Sequence, residues 1–134
     1  MIGASLDDAK LLASEDITFG GPTVGSEERF KVQFLVNDRR ATLAYESFAA
    51  GATVNWAFWH DEVHVVMGGE AKCTYTLGPN HRKQVSKTFR KGDTYLIPNG
   101  ARVRFDIGSE PYLHVCVIMP RFEFSKDERL DSYT

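Results

Sequence analysis

A short apolar segment holds the residues whose types and spacing could do chemistry. His60, Glu62 and His64 follow Trp56 and Phe58 at every second position. In one continuous strand, these five side chains would share a face. Imidazole and carboxylate groups can hold a divalent ion, or they can act as a general acid and base. The segment therefore predicts a polar site beside an aromatic wall.

The rise of a strand limits which of these side chains can meet. Neighbours at i and i+2 are roughly 6.6 Å apart, whereas His60 and His64 are separated by roughly 13 Å. We therefore expect Glu62 to pair with either histidine, and a third partner must come from another strand. His114 is a candidate, because it interrupts an apolar run at residues 113–118, where an unpaired polar group would be costly.

Other patterns that carry chemistry are absent from the sequence. No glycine-rich phosphate loop precedes a helix, and no serine lies in a nucleophile elbow. Cys73 and Cys116 lie in strand-like segments without metal-binding spacing, which favours reduced, buried thiols. The histidine and glutamate segment is therefore the main candidate site.

The elements that must position these residues are short strands. Apolar residues alternate with polar ones in many segments, which is the period of a half-buried strand. Turn signals recur at about ten-residue spacing, and this indicates an all-β sandwich or barrel. A weak N-cap at residues 5–8 predicts a short helix to about residue 13, and the polar tail at 125–129 is expected to fray. The predicted strands cover residues 30–36, 41–47, 53–59, 62–67, 70–77, 85–89, 94–97, 102–107 and 112–119.

Length and composition bound the class of protein. A chain of 134 residues with 43% hydrophobic and 25% charged residues fits one globular domain. The net charge of −2 gives no electrostatic basis for binding nucleic acid or anionic lipid. No apolar run approaches the roughly 20 residues of a membrane span, and the first five residues lack the start of a signal peptide. We expect one cytoplasmic domain, 1–134, with its barrel core at about 28–120.

Two sets of residues resemble the sequence motifs of the cupin (RmlC-like) superfamily. Glu62 with Gly69-Glu70 resembles the second half of the first motif, and Gly92-Asp93 with Pro98-Asn99-Gly100 resembles the second. The resemblance covers about residues 45–120, and its wording is most similar to small EutQ-type cupins of ethanolamine utilisation. It implies a single-domain cupin fold, which is a double-stranded β-helix or jelly-roll barrel, here with a short N-terminal helix. It also implies a homodimer.

The sequence departs from metal-binding cupins at three positions. The slots that usually hold histidines carry Trp56, Phe58 and Val103, so only the glutamate position, Glu62, is retained. The usual site of three histidines and one carboxylate is therefore absent. Ectoine-synthase-type cupins are similar in another respect, because they use a glutamate and a tyrosine at the positions of Glu62 and Tyr95.

The candidate site combines the residue pattern with this resemblance. The expected catalytic residues are Glu62, His64 and Tyr95. The expected substrate-binding residues are Trp56, Phe58, His60, Val103 and His114. His60, Glu62 and His114 are the candidate ligands of one divalent transition metal, Fe, Mn, Ni, Co or Zn, and a metal-free site fits the same residues equally well.

Two functions fit this site. One is an enzyme of the lyase, isomerase or dioxygenase type that acts on a small organic metabolite in the barrel, with the glutamate and histidines as metal ligands or as general acid and base. The other is a metal-independent, EutQ-like cupin that binds a ligand or serves as an accessory protein without catalysis. Both hypotheses give the protein a small-molecule partner, and neither involves nucleic acid or a membrane.

Overall fold

The computed structural model describes residues 1–14, 17–18, 29–77, 82–119 and 128–129. In this part of the chain a short helix is followed by a succession of strands. In chain order they are α1 (Asp8–Ala13), β1 (Ile17–Thr18), β2 (Arg29–Asn37), β3 (Thr42–Phe48), β4 (Thr53–Ala57), β5 (Asp61–Gly68), β6 (Glu70–Leu77), β7 (Lys83–Arg90), β8 (Thr94–Ile97), β9 (Arg102–Ile107), β10 (Tyr112–Met119) and β11 (Glu128–Arg129).

The strands form two antiparallel sheets. The first has the order β1-β2-β3-β10-β5-β8, and the second has the order β11-β4-β9-β6-β7. Side chains from both sheets form one core between them, so the inner faces pack together. This arrangement confirms the predicted all-β architecture. The fully or nearly fully buried core includes Phe48, Val54, Phe58, Val66, Ala71, Cys73, Ile97, Val103, Phe105 and Tyr112.

Alternation along the strands decides which side chains enter this core. In β9, Val103 and Phe105 are buried, whereas Arg104 between them is exposed. Strand β10 lies between β3 and β5 and is apolar on both faces, with His114 at a fully buried position. The central place of β10 means that its inward side chains can contact side chains of two neighbouring strands.

Helix α1 covers part of the outer face of the first sheet. It begins after Asp7, whose side chain accepts a hydrogen bond from the backbone N–H of Lys10, as an N-cap residue should. Leu11 is fully buried, and the Tyr45 hydroxyl of β3 donates to Asp8 at 2.6 Å. This contact anchors the helix and closes the outer side of β3.

The predicted strands agree with the structure except at a few ends. Strands β6, β8, β9 and β10 have the predicted bounds, and β2, β3, β4, β5 and β7 differ by at most two residues at either end. The two short strands β1 and β11 were not predicted. Whether His60 lies in a strand or in a turn was left open by the sequence; in the structure the chain bends at Trp59 and His60 between β4 and β5. The frayed tail is wrong at Glu128–Arg129, which pairs with β4. The rest of the predicted tail lies outside the described residues. No helix in the described part is long and apolar enough to cross a bilayer.

Gly69 provides a test of how tightly the turn between β5 and β6 is built. Its φ of +73° lies in the left-handed region, and an added Cβ would lie 2.2 Å from the carbonyl oxygen of Pro111. Gly51 has a similar φ of +71° but nothing within 4 Å of an added Cβ.

Replacing Gly51 by alanine should therefore cost only the left-handed strain, about 1 kcal/mol. Gly69→Ala should cost at least about 3 kcal/mol, because backbone must also move. Urea unfolding of the two variants compares these costs, and equal losses would contradict the close approach.

Candidate active site

Glu62 lies at the centre of a buried hydrogen-bonded cluster. It faces inward from β5 together with His64 and Val66. One carboxylate oxygen, Oε2, is 2.6 Å from His60 Nε2, and the other, Oε1, is 2.7 Å from His64 Nε2. Glu62, His60 and His64 are each at most 5% exposed. The bend before β5 is what allows His60 to turn back toward Glu62.

These bonds determine the charge of Glu62. Burial alone raises the pKa of a carboxyl group, but the hydrogen bonds from His60 and His64 outweigh it and hold the Glu62 pKa well below its usual range. The carboxylate is therefore ionised at neutral pH. An ionised carboxylate only accepts hydrogen bonds, so Nε2 of each imidazole must donate its proton to Glu62.

The hydrogen-bonded chain continues beyond His64 into two tyrosines. His64 Nδ1 is 2.8 Å from the Tyr95 hydroxyl, which is in turn 2.8 Å from the Tyr112 hydroxyl. Burial raises the pKa of both tyrosines, so both remain protonated. In the tautomer that carries its proton on Nε2, which donates to Glu62, His64 accepts from the Tyr95 hydroxyl at Nδ1. A continuous chain therefore runs from His60 to Tyr112.

A second imidazole–carboxylate pair lies beside the first. His114 Nε2 is 3.0 Å from Glu46 Oε2 on the neighbouring strand β3. The His114 ring stacks on His64 at 4.3 Å between centroids and meets Phe48 at 4.8 Å. Burial, reinforced by His64, lowers the pKa of His114. Within the described part of the chain, His114 Nδ1 has no hydrogen-bond partner.

A cavity opens onto these groups from one end of the barrel. Its volume is about 40 Å³, room for roughly three waters, and it is partly open to solvent. Among the described residues its wall is mostly apolar, with Glu46, Glu62 and His64 as the polar members. The lining residues are Phe30, Val32, Phe34, Glu46, Phe48, Trp56, Phe58, Glu62, His64 and Ile118.

The structure brings most of the predicted site residues together, in two groups. Trp56, Phe58, Glu62 and His64 line the cavity. His60, Tyr95 and His114 do not line it, but each contacts a residue that does. Val103 packs in the hydrophobic core.

Glu46, which lines the cavity, was not among the predicted site residues. Glu46 lies between inward-facing Ala44 and Phe48 in β3, and a carboxylate on an apolar face is a signal of a polar site. Tyr112, at the end of the hydrogen-bonded chain, was also missed. It begins an apolar strand, and nothing in its sequence surroundings distinguishes it from a core tyrosine.

A different trio from the predicted one could hold a metal ion. Glu46, Glu62 and Cys116 each offer a ligand atom, and these atoms lie within 4.8 Å of one another. Carboxylate and thiolate groups suit borderline divalent metals. Burial raises the pKa of the Cys116 thiol well above its usual value, so an ion would have to displace its proton. Predicted ligands His60 and His114 instead bond to Glu62 and Glu46, respectively.

The lowered pKa of His114 predicts its protonation state. Because the folded protein disfavours the imidazolium, His114 should remain neutral at pH 6, with its proton on Nε2. An unfolded histidine binds a proton near pH 6.5, whereas folded His114 resists protonation. The contribution of His114 therefore lowers the free energy of unfolding as the pH falls below 6.5. Ring-nitrogen NMR of ¹⁵N-histidine protein, assigned with His114→Gln, measures this directly. Two protonated ring nitrogens at pH 6 would contradict it.

Comparison with known proteins establishes the fold. No protein-family model matches the sequence, and no curated protein matches it significantly. Among solved structures, EutQ from Clostridium difficile matches with a TM-score of 0.57 and 16% identity over 72% of this chain and 66% of EutQ. KdgF from Halomonas sp. matches with a TM-score of 0.58 and 14% identity over 69% of this chain and 82% of KdgF.

A third similar structure is the oxalate decarboxylase of Bacillus subtilis. It matches with a TM-score of 0.69 and 12% identity over 92% of this chain, which spans only 31% of the decarboxylase. All three are cupins, and such low identities establish the fold alone. The resemblance of the motifs, the two antiparallel sheets and these structural matches agree: this protein has a cupin-type fold.

Proposed function

We propose that the protein is an enzyme that transfers protons to and from a small organic molecule bound in the cavity, in a reaction of the lyase or isomerase type. The observation that supports this most is the hydrogen-bonded chain from His60 through Glu62, His64 and Tyr95 to Tyr112. Two members of the chain, Glu62 and His64, line the cavity.

Folding does not require this chain. A buried ion pair is often no more stabilising than well-packed apolar residues of similar volume. A barrel interior with a carboxylate, imidazoles and tyrosines is therefore typical of a functional site, in which the surroundings set the protonation state of each group.

Each group has a chemical role in this proposal. Glu46 is 15% exposed at its side chain and lines the cavity, so it can accept a proton from the bound molecule. His64 is held at Nε2 by Glu62 and at Nδ1 by Tyr95, whose hydroxyl also bonds to Tyr112, so its ring keeps one position beside the bound molecule. Glu46 can return the same proton to another atom of that molecule, so every group of the protein ends the cycle with its starting charge. The fixed charge of Glu62 orients His64 and stabilises positive charge that develops beside it.

A bound divalent ion would give the cavity a second kind of chemistry. Glu46, Glu62 and Cys116 would hold it, and it would supply a Lewis acid. The Bacillus subtilis oxalate decarboxylase contains Mn(II) centres, and a dioxygenase reaction would likewise need a redox metal. Here both oxygens of Glu62 already accept hydrogen bonds from imidazoles. Both oxygens are therefore hydrogen-bonded without an ion, and the proposal assigns proton transfer to the side chains.

The proposal predicts that Glu62 is essential for turnover. Protein incubated with a small-metabolite extract in D₂O should convert at least one compound, or exchange one of its carbon-bound hydrogens, as detected by mass spectrometry and NMR. Glu62→Gln should lower kcat/KM for that compound at least about 100-fold, in keeping with the contribution of general acid–base catalysis. Protein treated with a chelator and verified metal-free by elemental analysis should keep its activity.

Glu70→Gln is the matched control, because Glu70 is exposed and pairs with Arg90 on the surface. It should retain wild-type turnover. Full turnover by Glu62→Gln would contradict the proposal. Loss of activity when the metal is removed would also contradict it, and would indicate metal chemistry at Glu46, Glu62 and Cys116 instead.

Ligand binding without catalysis is the second candidate function. It is favoured by one observation: the positions that hold histidines in metal-binding cupins carry Trp56, Phe58 and Val103, which all pack in or against the hydrophobic core. A protein that binds a metabolite from the extract but leaves it unchanged would support this function against the enzymatic one.

A further inference from the structure

The charged side chains among the described residues that line the cavity are of one sign. Two of the polar residues that line it, Glu46 and Glu62, carry carboxylates, and a carboxylate oxygen of each lies within 4.8 Å of the other. None of the described residues that line the cavity is a lysine or an arginine. An anionic ligand would therefore meet two carboxylates with no cationic side chain of the described wall to pair with it.

The rest of the wall suits an organic cation. Phe30 packs edge-on against Phe48 and Trp56, with ring centroids 6.3 and 6.4 Å apart, respectively. These rings line the same cavity as the carboxylates. An ammonium group within about 6 Å of a ring centroid is attracted to the face of an aromatic ring. The apolar part of such a ligand would be buried against the same rings.

The size and depth of the cavity define the shape of the ligand. The cavity volume of about 40 Å³ has room for an ammonium group and a few atoms of its stem. The cavity is partly open to solvent, and Phe34, which is 48% exposed, forms part of its wall. A molecule with a cationic end and a short apolar or aromatic body fits this shape.

We infer that the cavity selects small organic ammonium compounds, with the cation held between Glu46 and Glu62 and the apolar body against Phe30, Phe48 and Trp56. This inference rests on the proposed function in that it places the substrate in the same cavity. It adds the chemical class of the substrate, an amine or quaternary ammonium compound with an apolar body. Carboxylic acids, sugar acids and phosphate esters are excluded as substrates unless they also carry such a cation.

Three probes of nearly equal size and different charge test the inference. Benzylammonium, benzyl alcohol and benzoate are titrated into ¹⁵N-labelled protein at pH 7 in the presence of EDTA, and binding is followed by amide chemical shifts. Benzylammonium should bind at least tenfold more tightly than benzyl alcohol, and benzoate should bind more weakly than the alcohol. This ranking uses the wild-type protein, so it does not depend on the folding of any variant.

Variants then locate the selectivity. Glu46→Gln should weaken benzylammonium binding at least tenfold and leave benzyl alcohol within twofold, whereas the surface control Glu70→Gln should change neither. Benzoate binding as tightly as benzylammonium, or unchanged ammonium binding in Glu46→Gln, would overturn the inference. If the protein binds the probes in the expected order but converts no metabolite, the ammonium site is supported and the proposed enzyme is contradicted. Failure of the inference and failure of the proposed function are therefore distinguishable.

Discussion

The contact between Glu62 and two imidazoles is the interaction on which the interior of this barrel depends. Moving a carboxylate from water into a protein interior costs several kcal/mol, even after the protein relaxes. Here the N–H groups of His60 and His64 offset that cost, at 2.6 and 2.7 Å. Removing one partner of such a buried pair typically costs about 3–5 kcal/mol. The orientations of His64 and of Tyr95 behind it follow from this anchor.

Sheet topology explains how distant parts of the chain reach this anchor. In the first sheet β3, β10, β5 and β8 are adjacent. The register places Glu46 opposite His114, and Cys116 opposite His64, which in turn lies opposite Tyr95. Facing and diagonal side chains on neighbouring strands are within reach of each other. Four strands thus supply two carboxylate–imidazole pairs and a tyrosine to one end of the barrel.

The same interior is built mostly of residues that only pack. Phe105 is fully buried and stacks on His64 at 6.0 Å between centroids, and Phe48 contacts both Phe105 and His114. These rings hold the imidazoles in place and keep water from much of the cluster. A low local dielectric strengthens each hydrogen bond and makes each unpaired polar group more costly. The candidate site therefore consists of a few polar side chains that are held in place by an apolar core.

Much of the fold could be predicted from the sequence, because period-two alternation and turn residues mark each strand. The pairing of Glu62 with a histidine was also predictable, since their separation along the chain is short. Glu62 bonds both histidines rather than one, because it lies between them in the chain and each of its two carboxylate oxygens accepts one imidazole N–H.

The pairing of His114 with Glu46 was not predictable. These two residues are 68 positions apart, and alternation shows which face a residue occupies but not which strand lies next to it. For the same reason the sequence did not bring together Glu46, Glu62 and Cys116, a trio of described residues that could hold an ion.

The titration of the Glu62 carboxyl group tests this account most directly. Its carboxyl carbon can be followed by NMR in ¹³C-glutamate protein from pH 7 down to the acid limit of the fold, with Glu62→Gln to assign the signal. We expect Glu62 to remain ionised at pH values where the exposed glutamates have become protonated. A Glu62 signal that titrates with or above the exposed glutamates would show a neutral carboxyl group, and the chain from His60 to Tyr112 would then lose its anchor.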